Sequence, residues 1–207
     1  MFYSQQEEDS ILYQKYLNYE NGFFIELGAM NGIIYSNTLF FERTLNWSGI
    51  LIEPTNQYNE LLHNRPNCYN FNYAISEIEG EVEFLGSGAL GGMIHTMNDG
   101  HKYGWKLDET EPYKVKSMPI SKVIKELNIE RVDLFSIDVE GGELEVLTTF
   151  DWTIPVYIIL IEMAHNGTEE GKIKCEKCRD YIRKLGFVFD SEIGCNEVWI
   201  NIKNRKN

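Results

Sequence analysis

Apolar, strand-type runs alternate with amphipathic stretches along most of this chain, and the alternation ends in two strand-type runs with only "IGCN" between them. Strands separated by helix-length segments predict a parallel sheet covered on both faces. A closing pair that close together predicts a hairpin, hence one antiparallel strand at the end of the sheet. The strand-type runs are "GFFIEL", "GILIEP", "CYNFNYAIS", "VDLFSID" and "VYIILIEM", then "FVFDSE" and "EVWINI"; "EVEFLG" reads as a shorter added strand. A helix is predicted from Ser4 to Tyr19, within an N-terminal section 1–20, with Ser4 as its cap. Others are predicted in "SNTLFFERTLN" (starting near Ser36 or Asn37), "NQYNELLHNR", "SKVIKELN", "GELEVLTTF" and "GTEEGKIKCEKCRDYIRKLG". Residues 86–114 hold glycines, polar residues and little period, which predicts a long loop or lid. At 207 residues the whole chain is expected to form one domain.

Composition narrows the partners. The net charge of −13, from 32 acids against 19 bases, repels phosphate backbones, so duplex DNA or long RNA is not an expected partner. No apolar run approaches the roughly 18 to 20 residues of a membrane span. The acidic start "MFYSQQEEDS" lacks signal-peptide order, and Cys68, Cys175, Cys178 and Cys195 read as reduced thiols. The expected compartment is the cytoplasm. Richness in Asn, Ile, Tyr and Lys fits a bacterial or viral chain, in the latter case working in the host's cytoplasm.

The chemistry-bearing residues fall at strand ends. In "IELGAMNG", Gly28 and Gly32 would let backbone approach a ligand, and a helix start near Ser36 would offer N–H groups to a carboxylate. The dinucleotide fingerprint GxGxxG is absent. An acid beside such a turn suits an amino group or sulfonium better than a pyrophosphate; the plain alternative is a glycine turn that ends a strand. Glu53 closes the second strand, 25 residues after Gly28, where a carboxylate accepts both hydroxyls of a ribose. In "IDVEGGE", Asp138 and Glu140 reach the same crevice, where one can orient a hydroxyl or act as base, and Glu143 can sit in the next helix's first turn. The fifth strand brings Glu162 and His165 to the same mouth. His165 is a candidate base, and Asp138, Glu162 and His165 form a candidate divalent-metal set.

In order, "YSQQEED", "GFFIELGAMNG", "SNTLFFERTLNWSGILIEP", "NRP", "NYAIS", "DLFSIDVEGGELEVLTTFDW" and "IEM" resemble the FkbM family of S-adenosylmethionine-dependent methyltransferases, over most of the chain to about residue 165. The resemblance implies an α/β, Rossmann-like class I methyltransferase fold. Its seven-stranded, mostly parallel sheet has order 3-2-1-4-5-7-6 with strand 7 antiparallel. It implies that Glu26, Gly28 and Gly32 surround the methionine part of the cofactor, that Glu53 holds the ribose, and that Ala29, Ser36 and Asn37 are also cofactor-binding. Ala74 and Ile75, at the end of strand three, would border the adenine, and Asp138 would lie by the methyl group. Gln5 is carried over from the Ser-Gln run, where Glu7 stands in place of the family's usual glycine. The implied activity is O-methylation of a small molecule: a sugar, glycan or nucleotide-sugar. Asp138, Glu140 or His165 would draw off the hydroxyl proton, or magnesium or manganese on Asp138 and Glu162 would do so. An NAD-type oxidoreductase and a non-catalytic cofactor-binding module are the competing readings. The Lys-Asp-Lys-Glu set of an RNA cap methyltransferase is missing.

Overall fold

A computed structural model describes residues 1–164 and 167–205. In chain order its elements are α1 (Glu8–Lys15), β1 (Phe23–Leu27), α2 (Leu39–Leu45), β2 (Ser48–Ile52), α3 (Tyr58–Asn64), β3 (Tyr69–Phe71), β4 (Ala74–Ile75), β5 (Gly80–Leu85) and β6 (Gly92–Met93). There follow α4 (Asp99–Gly104), β7 (Tyr113–Met118), α5 (Ile120–Val123), β8 (Val132–Ile137), α6 (Glu143–Thr149), β9 (Val156–Glu162), α7 (Glu169–Lys184), β10 (Val188–Ile193) and β11 (Asn196–Ile200).

Seven strands form one sheet in the order β10-β11-β9-β8-β1-β2-β3. All neighbours are parallel except β11, which runs antiparallel to both β9 and β10. Counted along this sheet the order is 3-2-1-4-5-7-6, as the resemblance implies. Strands β8 and β9 are buried almost throughout, which is why they read as unbroken apolar runs. Alternate side chains serve opposite faces. Ile25, Ile50, Phe135 and Ile159 pack with α5, α6 and α7, whereas Phe24, Leu51, Leu134 and Ile158 pack with α1, α2 and α3.

Several elements depart from expectation, each for a local reason. Helix α1 starts at Glu8, because Glu7 is left-handed (φ 67) and interrupts the helical path. Glu7, not Ser4, holds the N-cap position; the Ser4 hydroxyl accepts from the first-turn N–H of Asp9 (3.2 Å) and donates to the Asp9 carboxylate (2.6 Å), and the Ser4 backbone bridges to Tyr35. Helix α2 starts at Leu39, since Ser36, Asn37 and Thr38 all hydrogen-bond to Glu26. The third predicted strand splits. The Asn72 amide donates to the carbonyls of Glu53 (2.8 Å) and Pro54 (3.1 Å), and the chain leaves the main sheet there. Ala74 and Ile75 therefore belong to a second sheet of order β4-β7-β5-β6 and are not the end of strand three. Strand β7, which the sequence does not predict, lies at the centre of that sheet between β4 and β5. The 86–114 segment carries β6, α4 and two 3₁₀ turns, and α5 is a single turn.

Where β1 and β8 end, their backbones nearly touch. A Cβ on Gly28 would lie 2.0 Å from the Asp138 carbonyl oxygen, and Gly28 has φ +74. Only glycine fits both demands. Gly28→Ala is expected to destabilise the fold by about 2 to 5 kcal/mol, from backbone strain plus overpacking. Urea unfolding checks this, and a midpoint equal to wild type would contradict the close approach.

Candidate active site

A cavity of about 370 Å³ opens at the carboxyl ends of β1, β2, β8 and β9. Gln5, Glu26, Gly28, Asn37 and Glu53 line it, and so do Ala74, Ile75, Asp138, Glu140 and Glu162. Ala29, Gly32 and Ser36 are not among its lining residues. Ala29 packs into the core, the Gly32 carbonyl accepts from Arg65 (3.1 Å), and the Ser36 hydroxyl donates to Glu26 (3.0 Å). His165, the predicted base and metal ligand, lies outside the described residues.

Glu26 is almost fully buried at 3% exposure. It accepts from the Ser36 hydroxyl, the Asn37 backbone N–H (2.8 Å) and the Thr38 hydroxyl, and the buried Arg65 guanidinium stands 4.0 Å away. Burial raises its pKa, against the opposing pull of Arg65 and these donors. With the Asn37 backbone held this way, its side-chain NH₂ donates to Ser136 (3.0 Å), while its Oδ1 is buried without a hydrogen-bond partner. Glu53 is buried as well, and burial raises its pKa. Its oxygens accept the backbone N–H groups of Met30 (2.9 Å) and Thr55 (2.8 Å), and these bonds together with one from the Thr55 side chain oppose that rise.

The charged lining is one-sided. Glu8, Glu26, Glu53, Asp138, Glu140 and Glu162 make six carboxylates, with no lysine or arginine among the described lining residues. Asp138, Glu140 and Glu162 form the tightest group, each offering a carboxylate oxygen within 4.8 Å of the others'. Of the expected metal set, Asp138 and Glu162 lie in this group beside Glu140, and His165 is outside the described residues. Burial, reinforced by the neighbouring acids, pushes the Asp138 carboxyl well above its ordinary range and Glu140 to about 10. Burial also raises Glu143 to about 7. Glu140 sits in the left-handed region (φ 53), ahead of Gly141 (φ +108), whose missing Cβ makes room for the Thr96 carbonyl. This turn aims its carboxylate back over the strand ends.

Facing it is His101, a residue the sequence places only in the lid segment. It is 4% exposed, on α4. Its Nε2 lies 3.0 Å from the Leu90 carbonyl, which can only accept, so Nε2 carries the proton and Nδ1 is turned to Glu140 Oε2 at 3.3 Å. His101, Glu140, Glu162 and Ala164 also line a second cavity of about 220 Å³, which runs toward Cys175 and Cys178 of α7. All four cysteines are free. The N-terminal segment and the closing hairpin meet at the main cavity, where the Asn196 amide donates to Glu8 (2.9 Å).

The profile of the FkbM methyltransferase domain matches residues 26–189, which contain most of this wall. The chain belongs to the FkbM methyltransferase family. No curated protein sequence matches it. Among solved structures, a candidate rRNA methylase from Clostridium thermocellum is similar at 9% identity and TM-score 0.52, covering 96% of each chain. A candidate caffeoyl-CoA O-methyltransferase from Staphylococcus aureus is similar at 9% identity and TM-score 0.50, over 97% of this chain and 86% of that one. Fibrillarin from Aeropyrum pernix, solved with natively bound S-adenosyl-L-methionine, is 12% identical (TM-score 0.49), and the match covers 88% of this chain and 66% of fibrillarin. The first two likenesses place this FkbM-family chain in the Rossmann-like class I methyltransferase fold.

The raised carboxyls set the pH dependence of stability. Between their ordinary values near 4.5 and the folded value of Glu140 near 10, the folded state holds protons that the unfolded state has lost. Stability therefore falls as pH rises through that window. With chelator present, the Tm is expected to be higher at pH 5 than at pH 8, and Glu140→Gln is expected to flatten the slope. A Tm that rises from pH 5 to pH 8 would contradict the raised values.

Proposed function

We propose that this chain transfers a methyl group from S-adenosylmethionine to a hydroxyl oxygen of a small molecule, a sugar or glycan, as one methyltransferase domain working in the cytoplasm. The observation that carries the reading is the one-sided wall: six carboxylates, no described lysine or arginine, and a buried acceptor oxygen on Asn37 with no partner. Such a wall suits a ligand that brings positive charge and hydrogen-bond donors, and it disfavours a pyrophosphate. The residues fit the cofactor: Asn37 and Glu26 toward an ammonium, the Glu53 carboxylate toward ribose hydroxyls, Ala74 and Ile75 toward an apolar base edge. Bound there, S-adenosylmethionine supplies a methyl group already activated on a sulfonium.

The chain's own task is alignment and proton removal. The 86–114 segment acts as the lid, and its His101 and the strand-end Glu140 stand together beside Asp138 and Glu162. A positive charge bound beside these acids would favour their ionised form, and a hydroxyl held among them then donates its hydrogen bond to a carboxylate oxygen that takes the proton as the O–CH₃ bond forms and the S–CH₃ bond breaks. A second reading of the same three oxygens is a magnesium or manganese site, since hard oxygen donors suit either ion. Such an ion would lower the pKa of the hydroxyl. The net charge of −13 argues against nucleic acid as the acceptor.

Glu53→Ala is expected to weaken S-adenosylhomocysteine binding by about 1 to 3 kcal/mol, through loss of charge-assisted hydrogen bonds to the ribose. Calorimetry tests this, and an unchanged affinity would remove the ribose assignment. Turnover assayed across a sugar panel, with EDTA and then with added magnesium or manganese, tests the metal reading. Loss with chelator and recovery with the ion support it, and chelator-insensitive turnover rules it out.

A further inference from the structure

The main cavity carries an aromatic surface that proton removal and cofactor binding leave unused. Of the chain's four tryptophans, Trp47 and Trp199 are buried and Trp152 packs among Phe135, Phe150 and Phe187. Trp105 differs: it lines the cavity, directly after α4, and is 56% exposed. From the loop after β1 come two more exposed apolar lining residues, Ile34 and Tyr35. Tyr35 is held in the left-handed region (φ 58) and tied by its backbone to Ser4. An indole left half in water forgoes the burial that the other three obtain. Its position on a cavity wall gives that exposure a use.

Charge decides what the surface can take. The same wall holds six carboxylates and no described lysine or arginine. A phosphate on the acceptor would be desolvated there with no described lysine or arginine to pair it. A pyranose ring offers the complement of both features, with an apolar C–H face for an indole and hydroxyls that donate to carboxylates.

We propose that Trp105, with Ile34 and Tyr35, forms the stacking platform for an uncharged pyranose ring of the methyl acceptor, and that the site discriminates against nucleotide-sugars and sugar phosphates. This rests on the hydroxyl-methylation reading above and narrows it to one substrate class. Trp105 is a specificity-determining residue on this account, held on the lid and separate from the carboxylates that handle the proton.

The test uses the full chain loaded with S-adenosylhomocysteine and saturation-transfer NMR, followed by titration. The probes are methyl pyranosides of gluco, galacto, manno and rhamno configuration, with UDP-glucose and glucose 6-phosphate as charged counterparts, each with and without magnesium. At least one methyl pyranoside is expected to bind. Trp105→Ala is expected to weaken it about tenfold and Trp105→Phe to restore part of the loss, with S-adenosylhomocysteine affinity within about twofold of wild type in both. The charged sugars are expected to bind more weakly than the neutral ones under both conditions. The inference is overturned if no methyl pyranoside binds, if Trp105→Ala leaves binding unchanged, or if a charged sugar binds more tightly. Failure of the wild-type chain to bind S-adenosylhomocysteine at all would instead remove the methyltransferase reading, and this inference with it.

Discussion

The buried carboxylate of Glu26 organises the cavity wall. It ends β1 among three donors from residues 36–38, with Arg65 brought in from the end of α3. Arg65 is fully buried, and its other contacts reach Glu42, the Gly32 carbonyl, Ser36 and Thr38. One network thereby joins β1, the loop after it, α2 and α3. Buried charge is tolerable only when partnered, so the loop has little freedom to rearrange without leaving an acid or a guanidinium unsatisfied. The Asn37 backbone is fixed by this network, while its side-chain oxygen is buried without a hydrogen-bond partner.

Beyond that network the wall is acidic to a degree that the fold alone does not require. Asp138, Glu140 and Glu162 crowd their oxygens within 4.8 Å, and Glu140 reaches the group only through a left-handed backbone. A non-glycine residue in that region costs about 1 kcal/mol, and such strain gathers at functional sites. The raised carboxyl pKa values follow from the same crowding. A positive charge placed among these groups would relieve both the repulsion and the desolvation, which is how an acid-lined cavity selects a cationic cofactor over a phosphorylated one.

Most of the main sheet was legible in the sequence. Strands β1, β8 and β9 are apolar on both faces, and the closing hairpin follows from the shortness of its connection. The second sheet was not. Strand β7, "YKVKSM", is half exposed with two lysines, and its strand character comes from pairing with β5 across a long sequence gap. The split after Phe71 depends on the Asn72 amide finding carbonyls around residue 54, a tertiary event that no local pattern announces. At the site, acids at strand ends could be read because topology puts them there: Glu53, Asp138, Glu140 and Glu162 all reach the cavity. The pairing of His101 with Glu140 and the orphan oxygen of Asn37 could not, since both arise from how distant segments pack. Ala29, Gly32 and Ser36, expected near the cofactor from the glycine turn and the family resemblance, pack into the core and the Arg65 network, contacts that likewise depend on distant segments.

The central claim is that this acid-lined cavity holds the cofactor with its amino acid end at Asn37 and its ribose at Glu53. A crystal structure of the chain grown with S-adenosylhomocysteine tests it most directly. The account predicts the ligand's ammonium within hydrogen-bond distance of Asn37 Oδ1 and both ribose hydroxyls on the Glu53 carboxylate. A ligand bound elsewhere, or with its ribose turned away from Glu53, would contradict it.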